Sequence, residues 1–420
     1  MIKRVRLPYG KDGEQLVDIP ARNFAGAFSS TSSAPADDPQ ALLAAALQNP
    51  IGTPAFYELA EKSSKVLLIV DDNTRRTPVR LLLPTVCKIL AEAGVADDNV
   101  KILFASGTHR EMTRAEQIEK IGEEALERYA CVSHDYEGAH ISLGETEFGT
   151  PVEVNPLVKW ADLSVAVGSI LPHAFCGWAG GGKMILPGVC SARSILATHM
   201  LPFKDPAIGL GVIENRARTE IDEAARMARL GFIVNAVLSA EGEIVDLVAG
   251  DAVEAHRTGI SKARAAMGVA IPTADLVIAS AWPEDENYWQ AGKSIYPMER
   301  VVRPGGLALL VARLAEGRGE HPGLFDAMGE AEAVLLERLG SAEDTDIDEA
   351  LAIAAALSDR RILKKARLGL VSGGLPMNET ANGAVLRFDS PNDAVRLILR
   401  ENPDARVACL LNAPEILPIA

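Results

Sequence analysis

Four stretches of this 420-residue chain bring ionisable, imidazole and glycine residues together in patterns that could move protons and hold an anion. Asp72-Asn73-Thr74-Arg75 places a carboxylate near a guanidinium, and the planar fork of Arg75 suits a carboxylate ligand. His109, in Ser106-Gly107-Thr108-His109-Arg110, and His173, in Pro172-His173, are natural acid/base groups near neutral pH. Two such imidazoles on converging loops would suit a reaction that needs a base on each face of one carbon. Gly177, Gly180, Gly181 and Gly182 allow tight turns and close backbone approach to a ligand. Lys183, which closes that loop, could neutralise a phosphate or act as a nucleophile. His199 follows in a helical segment, and Gln290 and Lys293, in Asn287–Ser294, could hold substrate oxygens.

Each stretch also has a plain structural alternative. Asp72 could cap a turn with Arg75 solvated, His199 could be a satisfied helical residue, and Lys293 could be an exposed lysine at a helix start. The glycine loop could be a turn and nothing more. A nucleotide triphosphatase reading fails on detail. Gly177-x4-Gly182-Lys183 fits GxxxxGK, but Met184 replaces the magnesium-binding Ser or Thr, and Pro187-Gly188 cuts off the phosphate-cradling helix. An NAD-type dehydrogenase lacks its GxGxxG turn after an early strand.

The elements that must position these residues read as α/β. Lys65–Val70, Asn99–Ala105 and Leu163–Val167 are apolar runs with the look of buried strands, and each ends in one of the polar loops above. A helix opens at Pro78 and runs to about Ala93, and Thr113 is placed to cap another. Gly168 to Gly188 is a long irregular stretch. The alternation resumes with Ala274–Ser280, Leu307–Ala312, Gly369–Ser372 and Val407–Leu411. Open α/β sheets bind ligands beyond the carboxyl ends of their strands, which argues for one site built from several loops. A chain this long exceeds one comfortable core. The division expected falls near Ile271-Pro272-Thr273: a catalytic domain over 1–270 carrying the loops, and an α/β domain over 271–420 closing on the substrate, with the active site in the cleft between them. Ala25–Asp38 is Ser/Ala-rich and reads as a mobile connection.

Composition narrows the function classes. With 48% hydrophobic and 24% charged residues the chain resembles an ordinary globular protein. Its net charge of −15 argues against a nucleic-acid partner. Cys87, Cys131, Cys176, Cys190 and Cys409 form no CxxC pair and read as reduced thiols. No apolar run reaches the ~20 residues of a membrane span, and the first residues show no secretory core. A cytoplasmic location is expected.

Taken together, Asp72-Asn73-Thr74-Arg75, Gly107-Thr108-His109, Pro172-His173, the Gly-Gly-Lys loop ending at Lys183 with Pro187-Gly188 behind it, His199 and Gln290-x-x-Lys293 resemble, in order and spacing, the nickel-dependent lactate racemase family. The resemblance implies a nickel-pincer nucleotide, a pyridinium-3,5-bisthiocarboxylic acid mononucleotide with nickel. It implies that Lys183 tethers this cofactor covalently, that the loop Gly180-Gly181-Gly182 binds it, and that His199 ligates the metal. His109 and His173 would be alternating acid and base, Arg75 and Lys293 would hold the substrate, and Asp72 and Gln290 would order that pocket. The implied reaction is racemisation or epimerisation of a 2-hydroxy acid: proton-coupled hydride transfer to the cofactor and back through a 2-keto acid. Cofactor-synthesis proteins would act upstream, and the oligomeric state stays open. Lactate racemases of the family carry a tryptophan late in the second domain. Here Trp160, Trp178, Trp282 and Trp289 all precede residue 290, which favours a larger 2-hydroxy acid. Alternatives are a 2-hydroxy acid dehydrogenase and a non-catalytic ligand-binding member of the same fold.

Overall fold

The computed structural model describes residues 1–30, 34–340 and 346–419. The chain divides into two compact units: Ser32–Leu201 with Asp205–Ala266, and Met1–Thr31 with Pro202–Lys204 and Met267–Ala420. The first 31 residues thus group with the C-terminal part of the chain rather than with the segment that follows them.

The unit that carries the loops after Asp71, Ala105 and Ser169 is built on a six-stranded sheet. Its spatial order is Ile244–Gly250, Leu230–Leu238, Leu163–Ser169, Val66–Asp71, Val100–Ala105, Ala130–Ser133. All neighbours are parallel except the Leu230–Leu238/Ile244–Gly250 pair. Val66–Asp71 is buried along its length, as expected of a central strand covered on both faces. Val66, Leu68, Val70, Ile102, Phe104, Val165, Val167, Phe232 and Val234 form one apolar core with flanking helices. Counted along the chain, the order is 6-5-4-1-2-3, and it reverses between Val66–Asp71 and Leu163–Ser169. That reversal is the switch point, past whose strand ends open α/β sheets bind their ligands. The order is shared with dinucleotide-binding folds, but the turn after the first strand reads Asp72-Asn73-Thr74-Arg75-Arg76 and has no glycine for a pyrophosphate.

The second unit holds a wholly parallel sheet, Val385–Arg387, Arg367–Val371, Val302–Val311, Ala274–Ser280, Val407–Leu410, Phe24–Phe28. An antiparallel hairpin, Ile2–Tyr9 with Gly13–Pro20, adds Val5, Leu7, Val17 and Ile19 to its core. Ala25–Phe28 is therefore part of an edge strand rather than a mobile connection. Its alternation is too short, and too rich in Ala and Gly, to show as a strand without its partner. Residues 31–33 of that connection lie outside the described residues. Asp38, at its end, caps the helix Pro39–Gln48.

Three further strands, Leu230–Leu238, Ile244–Gly250 and Ala130–Ser133, have no counterpart in the sequence reading. The stretch from Gly168 to Gly188 is not wholly irregular. The third strand runs on to Ser169, Pro172–His173 pairs with Gly177–Trp178, and Gly181–Met184 makes a 3-10 turn. No helix among the described residues is long and apolar enough to cross a membrane.

Candidate active site

The site grows from strand ends at the switch point. After Val66–Asp71 the chain turns sharply, and the turn is held from behind by a buried lysine. Lys120 Nζ lies 2.5 Å from Asp71 Oδ1 and donates to the Arg75 carbonyl at 2.9 Å. Lys120 sits in the helix Arg114–Ile121, whose start is fixed by a capping box between Thr113 and Glu116. Burial pushes the Asp71 carboxyl up, and the adjacent Lys120 ammonium opposes it.

Asp72, the next residue, has a side chain 2% exposed. Its Oδ1 accepts from the Thr74 amide at 3.1 Å and the Thr74 hydroxyl at 2.6 Å, while Oδ2 lies 2.6 Å from His109 Nδ1. Burial alone would raise this carboxyl. The His109 imidazole, the Arg75 charge and the Thr74 hydroxyl outweigh burial and hold it well below the usual carboxylate range. Asp72 is therefore ionised, and its partner nitrogen on His109 is the protonated one. In the neutral ring this leaves a lone pair on His109 Nε2. His109 is brought here by the strand Val100–Ala105 and a turn at Gly107, whose φ of 57° favours glycine. The Gly107 amide donates to the Gly188 carbonyl at 3.0 Å, linking this turn to the end of the glycine loop.

His173 has the opposite arrangement. Its Nδ1 accepts the Phe175 amide at 3.2 Å, so the neutral ring carries its proton on Nε2. Phe175 stands between two imidazoles: its ring centroid is 6.0 Å from that of His173 and 5.1 Å from that of His199, both edge-on. His199 ends the helix Ala192–His199. Its Nδ1 bonds the Ile195 carbonyl at 2.9 Å, which fixes the tautomer whose Nε2 can ligate a metal. Among the described residues no group of three or more His, Cys, Asp or Glu side chains is placed to hold a metal ion. A single backbone-anchored imidazole suits a metal whose other ligands come from a bound organic group.

Lys183 lies in the 3-10 turn Gly181–Met184 and is partly buried. The glycines before it are required by the protein itself. A Cβ on Gly180 would sit 2.9 Å from Asn235 Oδ1, one on Gly181 2.8 Å from His256 Cγ, and one on Gly182 2.8 Å from Ala225 Cβ. The close approach expected toward a ligand is thus, at these three positions, an approach to the unit's own core.

Gln290 and Lys293 belong to the other unit, just beyond the strand Ala274–Ser280. That strand sits where the order of its sheet reverses. Asn287 caps the helix Tyr288–Ala291 by accepting from the Gln290 amide at 3.0 Å. Lys293 Nζ donates to Gln290 Oε1 and to Glu284 Oε2, and Glu284 is buried. Gln290 Nε2 is buried with no hydrogen-bond partner in the structure.

Asp72, Thr74, Arg75 and His109 are thus joined around one carboxylate, since Arg75 Nη1 also donates to Thr74 Oγ1 at 3.1 Å. Sequence reasoning missed Lys120, Phe175 and Glu284. Nothing in their local sequence marks them, because each matters through a residue 9 to 49 positions away or through the ring it touches.

Residues 9–211 match the family model described as the lactate racemase N-terminal domain. Over 323 residues, 75% of this chain and 75% of the relative, the sequence is 35% identical to the lactate racemase of Thermoanaerobacterium thermosaccharolyticum. The chain belongs to the lactate racemase family. It is 30% identical to the lactate racemase of Lactiplantibacillus plantarum over 75% of this chain and 76% of that one. The fold agrees. The lactate racemase apoprotein of T. thermosaccharolyticum superposes with a TM-score of 0.87 at 28% identity, covering 100% of both chains. A Thermotoga maritima protein shares the fold alone, with a TM-score of 0.69 at 19% identity over 87% of this chain and 97% of that one. As a member of the lactate racemase family the protein is an isomerase of the racemase class.

Proposed function

We propose that this racemase inverts a 2-hydroxy acid by passing through a planar 2-keto acid, with His109 and His173 handling the hydroxyl proton on opposite faces. The observation that supports this reading most directly is the pair of opposite hydrogen bonds at Nδ1: Asp72 accepts from His109 and the Phe175 amide donates to His173, which in the neutral rings leaves a lone pair on one Nε2 and a proton on the other. One imidazole is set to accept a proton and the other to give one, as inversion through a symmetric intermediate requires. Arg75 offers its fork to the substrate carboxylate, and Lys293 with Gln290 holds the substrate hydroxyl or carboxylate oxygens. Asp72 acts through His109, keeping Nδ1 protonated and the ring oriented.

Lys183 would tether a nickel-pincer nucleotide covalently through its amine, and His199 Nε2 would ligate its metal. When bound, the nucleotide supplies the acceptor and donor of hydride, and cofactor-synthesis proteins would provide it. The missing late tryptophan points to a 2-hydroxy acid larger than lactate.

The test is to incubate nickel-loaded protein with pure enantiomers of lactate and of larger 2-hydroxy acids, and to follow both configurations by chiral chromatography. Inversion of at least one acid, with the matching 2-keto acid recovered after rapid quenching, is expected. Inversion of none would overturn the reading. Inversion of lactate in preference to every larger acid would overturn its substrate part.

A further inference from the structure

The glycine loop before Lys183 is pinned from within the same unit by three buried polar side chains that come from three different elements. Asn235, on the strand Leu230–Leu238, is 0% exposed, and its Oδ1 accepts the Gly181 amide at 2.8 Å. His256, on the helix Glu254–Met267, is 1% exposed, and its Nε2 lies 2.8 Å from the Ala179 carbonyl. Arg218, in the first turn of the helix Arg216–Met227, is 3% exposed. Its Nη1 lies 3.3 Å from the Gly180 carbonyl and 3.2 Å from His256 Nδ1.

The Ala179 carbonyl can only accept, so the proton of the neutral His256 ring sits on Nε2 and is donated to it, which leaves Nδ1 unprotonated. Arg218 Nη1 lies 3.2 Å from that Nδ1 and 3.4 Å from Nε2. Burial, reinforced by the Arg218 charge, pushes the His256 pKa down to about 3, and the ring stays neutral at any working pH. Three consecutive residues, Ala179, Gly180 and Gly181, are thus each held by a side chain from outside the loop. Their glycines leave no room for a Cβ between backbone and clamp.

Such an arrangement is dear to assemble. Arg218 Nε and Nη2 are buried with no hydrogen-bond partner, and its carboxylate neighbour Asp222 stands 3.7 Å away. A loop that needed only to turn would not require a buried guanidinium. Lys183 leaves the chain two residues after the last clamped amide, so the clamp sets where its side chain begins.

We propose that Arg218, His256 and Asn235 are positioning residues that fix the backbone of Ala179–Gly181, so that the Lys183 amine is presented in one direction before any cofactor arrives. The proposal rests on Lys183 being the tether. His256→Leu removes the donor and the acceptor at similar volume, whereas His256→Gln keeps both. Asn235→Ala removes the acceptor for Gly181, together with the Nδ2 donor to the Val234 carbonyl, and serves if the leucine variant does not fold.

Two readouts apply. One is amide hydrogen exchange of the 178–184 segment in the cofactor-free protein. The other is the rate at which Lys183 gains mass when the protein is incubated with the free nickel-pincer nucleotide, corrected for folded protein. His256→Leu or Asn235→Ala should speed loop exchange about tenfold, the effect of losing one or two buried hydrogen bonds, and should slow adduct formation by a similar factor. His256→Gln should restore both to within roughly threefold. A purely structural role would lower thermal stability but leave adduct formation per folded molecule unchanged, and that result overturns the proposal. So does a glutamine variant as impaired as the leucine one. If wild-type protein gains no mass on Lys183, the tether reading fails. Loop exchange then decides the clamp by itself, and unchanged exchange in His256→Leu and Asn235→Ala refutes it.

Discussion

His109 Nδ1 and Asp72 Oδ2 stand 2.6 Å apart, with the carboxylate sealed from solvent and the imidazole side chain 17% exposed. The pair converts a buried charge into a directional one: the carboxylate chooses which imidazole nitrogen is left to meet substrate. Asp72→Asn keeps the shape and loses that choice, because an amide nitrogen can turn toward the ring. We expect kcat to fall by ~10²–10⁴, with KM changed far less. A fall in kcat of under tenfold in steady-state assays would show that Asp72 only fills space.

The same residue leaves a mark on stability. Its folded pKa is depressed, so it contributes stability that is fully present above the unfolded value of about 3.9 and is lost as pH falls through the lower folded value. Denaturant melts of wild type and Asp72→Asn should therefore differ at every pH above about 4 and converge below it. Convergence already at pH 6 would contradict the ionised assignment.

His109 and His173 should fail asymmetrically. At equilibrium both directions of turnover fall together, because no mutation alters the equilibrium between enantiomers. A single turnover is not so constrained. With His109→Ala, 2-keto acid formation from one pure enantiomer should slow by ~10²–10⁴ while the other proceeds near normally, and His173→Ala should reverse the preference. Rapid quench with each enantiomer measures this. Equal slowing of both in both variants would rule out the two-base assignment.

Arg75→Lys keeps the charge and loses the fork. A charge-assisted contact of this type contributes ~1.5–3 kcal/mol, so kcat/KM should drop by roughly one to two orders of magnitude. Wild-type kinetics in this variant would place Arg75 outside the substrate contact.

Asp359, wholly buried and accepting from the Tyr296 hydroxyl, has its pKa pushed up to about 7 by burial, with Tyr296 opposing. A raised folded pKa means stability that is present below the unfolded value of ~3.9 and lost as pH rises to about 7. Asp359→Asn can still accept from Tyr296 and carries no charge to bury. Its Tm at pH 8 should exceed that of wild type by at least ~2–4 °C, the shift about 1 kcal/mol gives in units of this size, and the gap should close toward pH 4. A variant less stable than wild type at pH 8 would contradict the assignment.

The sequence makes the central strands legible because they are continuous apolar runs: Val66–Asp71, Val100–Ala105 and Ala274–Ser280 each fall within a residue or two of expectation. Thr113 caps the helix it was expected to cap. Edge strands were hidden, since Phe24–Phe28 and Ala130–Ser133 take their identity from a neighbour far along the chain. At the site, residue types pointed to His109, His173 and Lys183. What types cannot give is which nitrogen of an imidazole faces inward, because that is decided by Asp72 in one case and by the Phe175 amide in the other. His256 looked unremarkable in sequence, being one histidine on a helix, and only its contact with Ala179 distinguishes it.

The strand Phe24–Phe28 pairs with Val407–Leu410, and Ser30 bonds Asn412 across 382 residues of chain. On a ribosome adding ~5–20 residues per second, that edge waits roughly 20 to 80 s for its partner while the segment between is made. Residues 32–266, apart from 202–204, can close their own sheet during this interval, so the unit bearing His109, His173 and Lys183 can finish folding first. The strand Phe24–Phe28 spends the same interval as an unpaired edge, and the hairpin before it with Val5, Leu7, Val17 and Ile19 uncovered, which makes this stretch a target for a chaperone in the nascent protein.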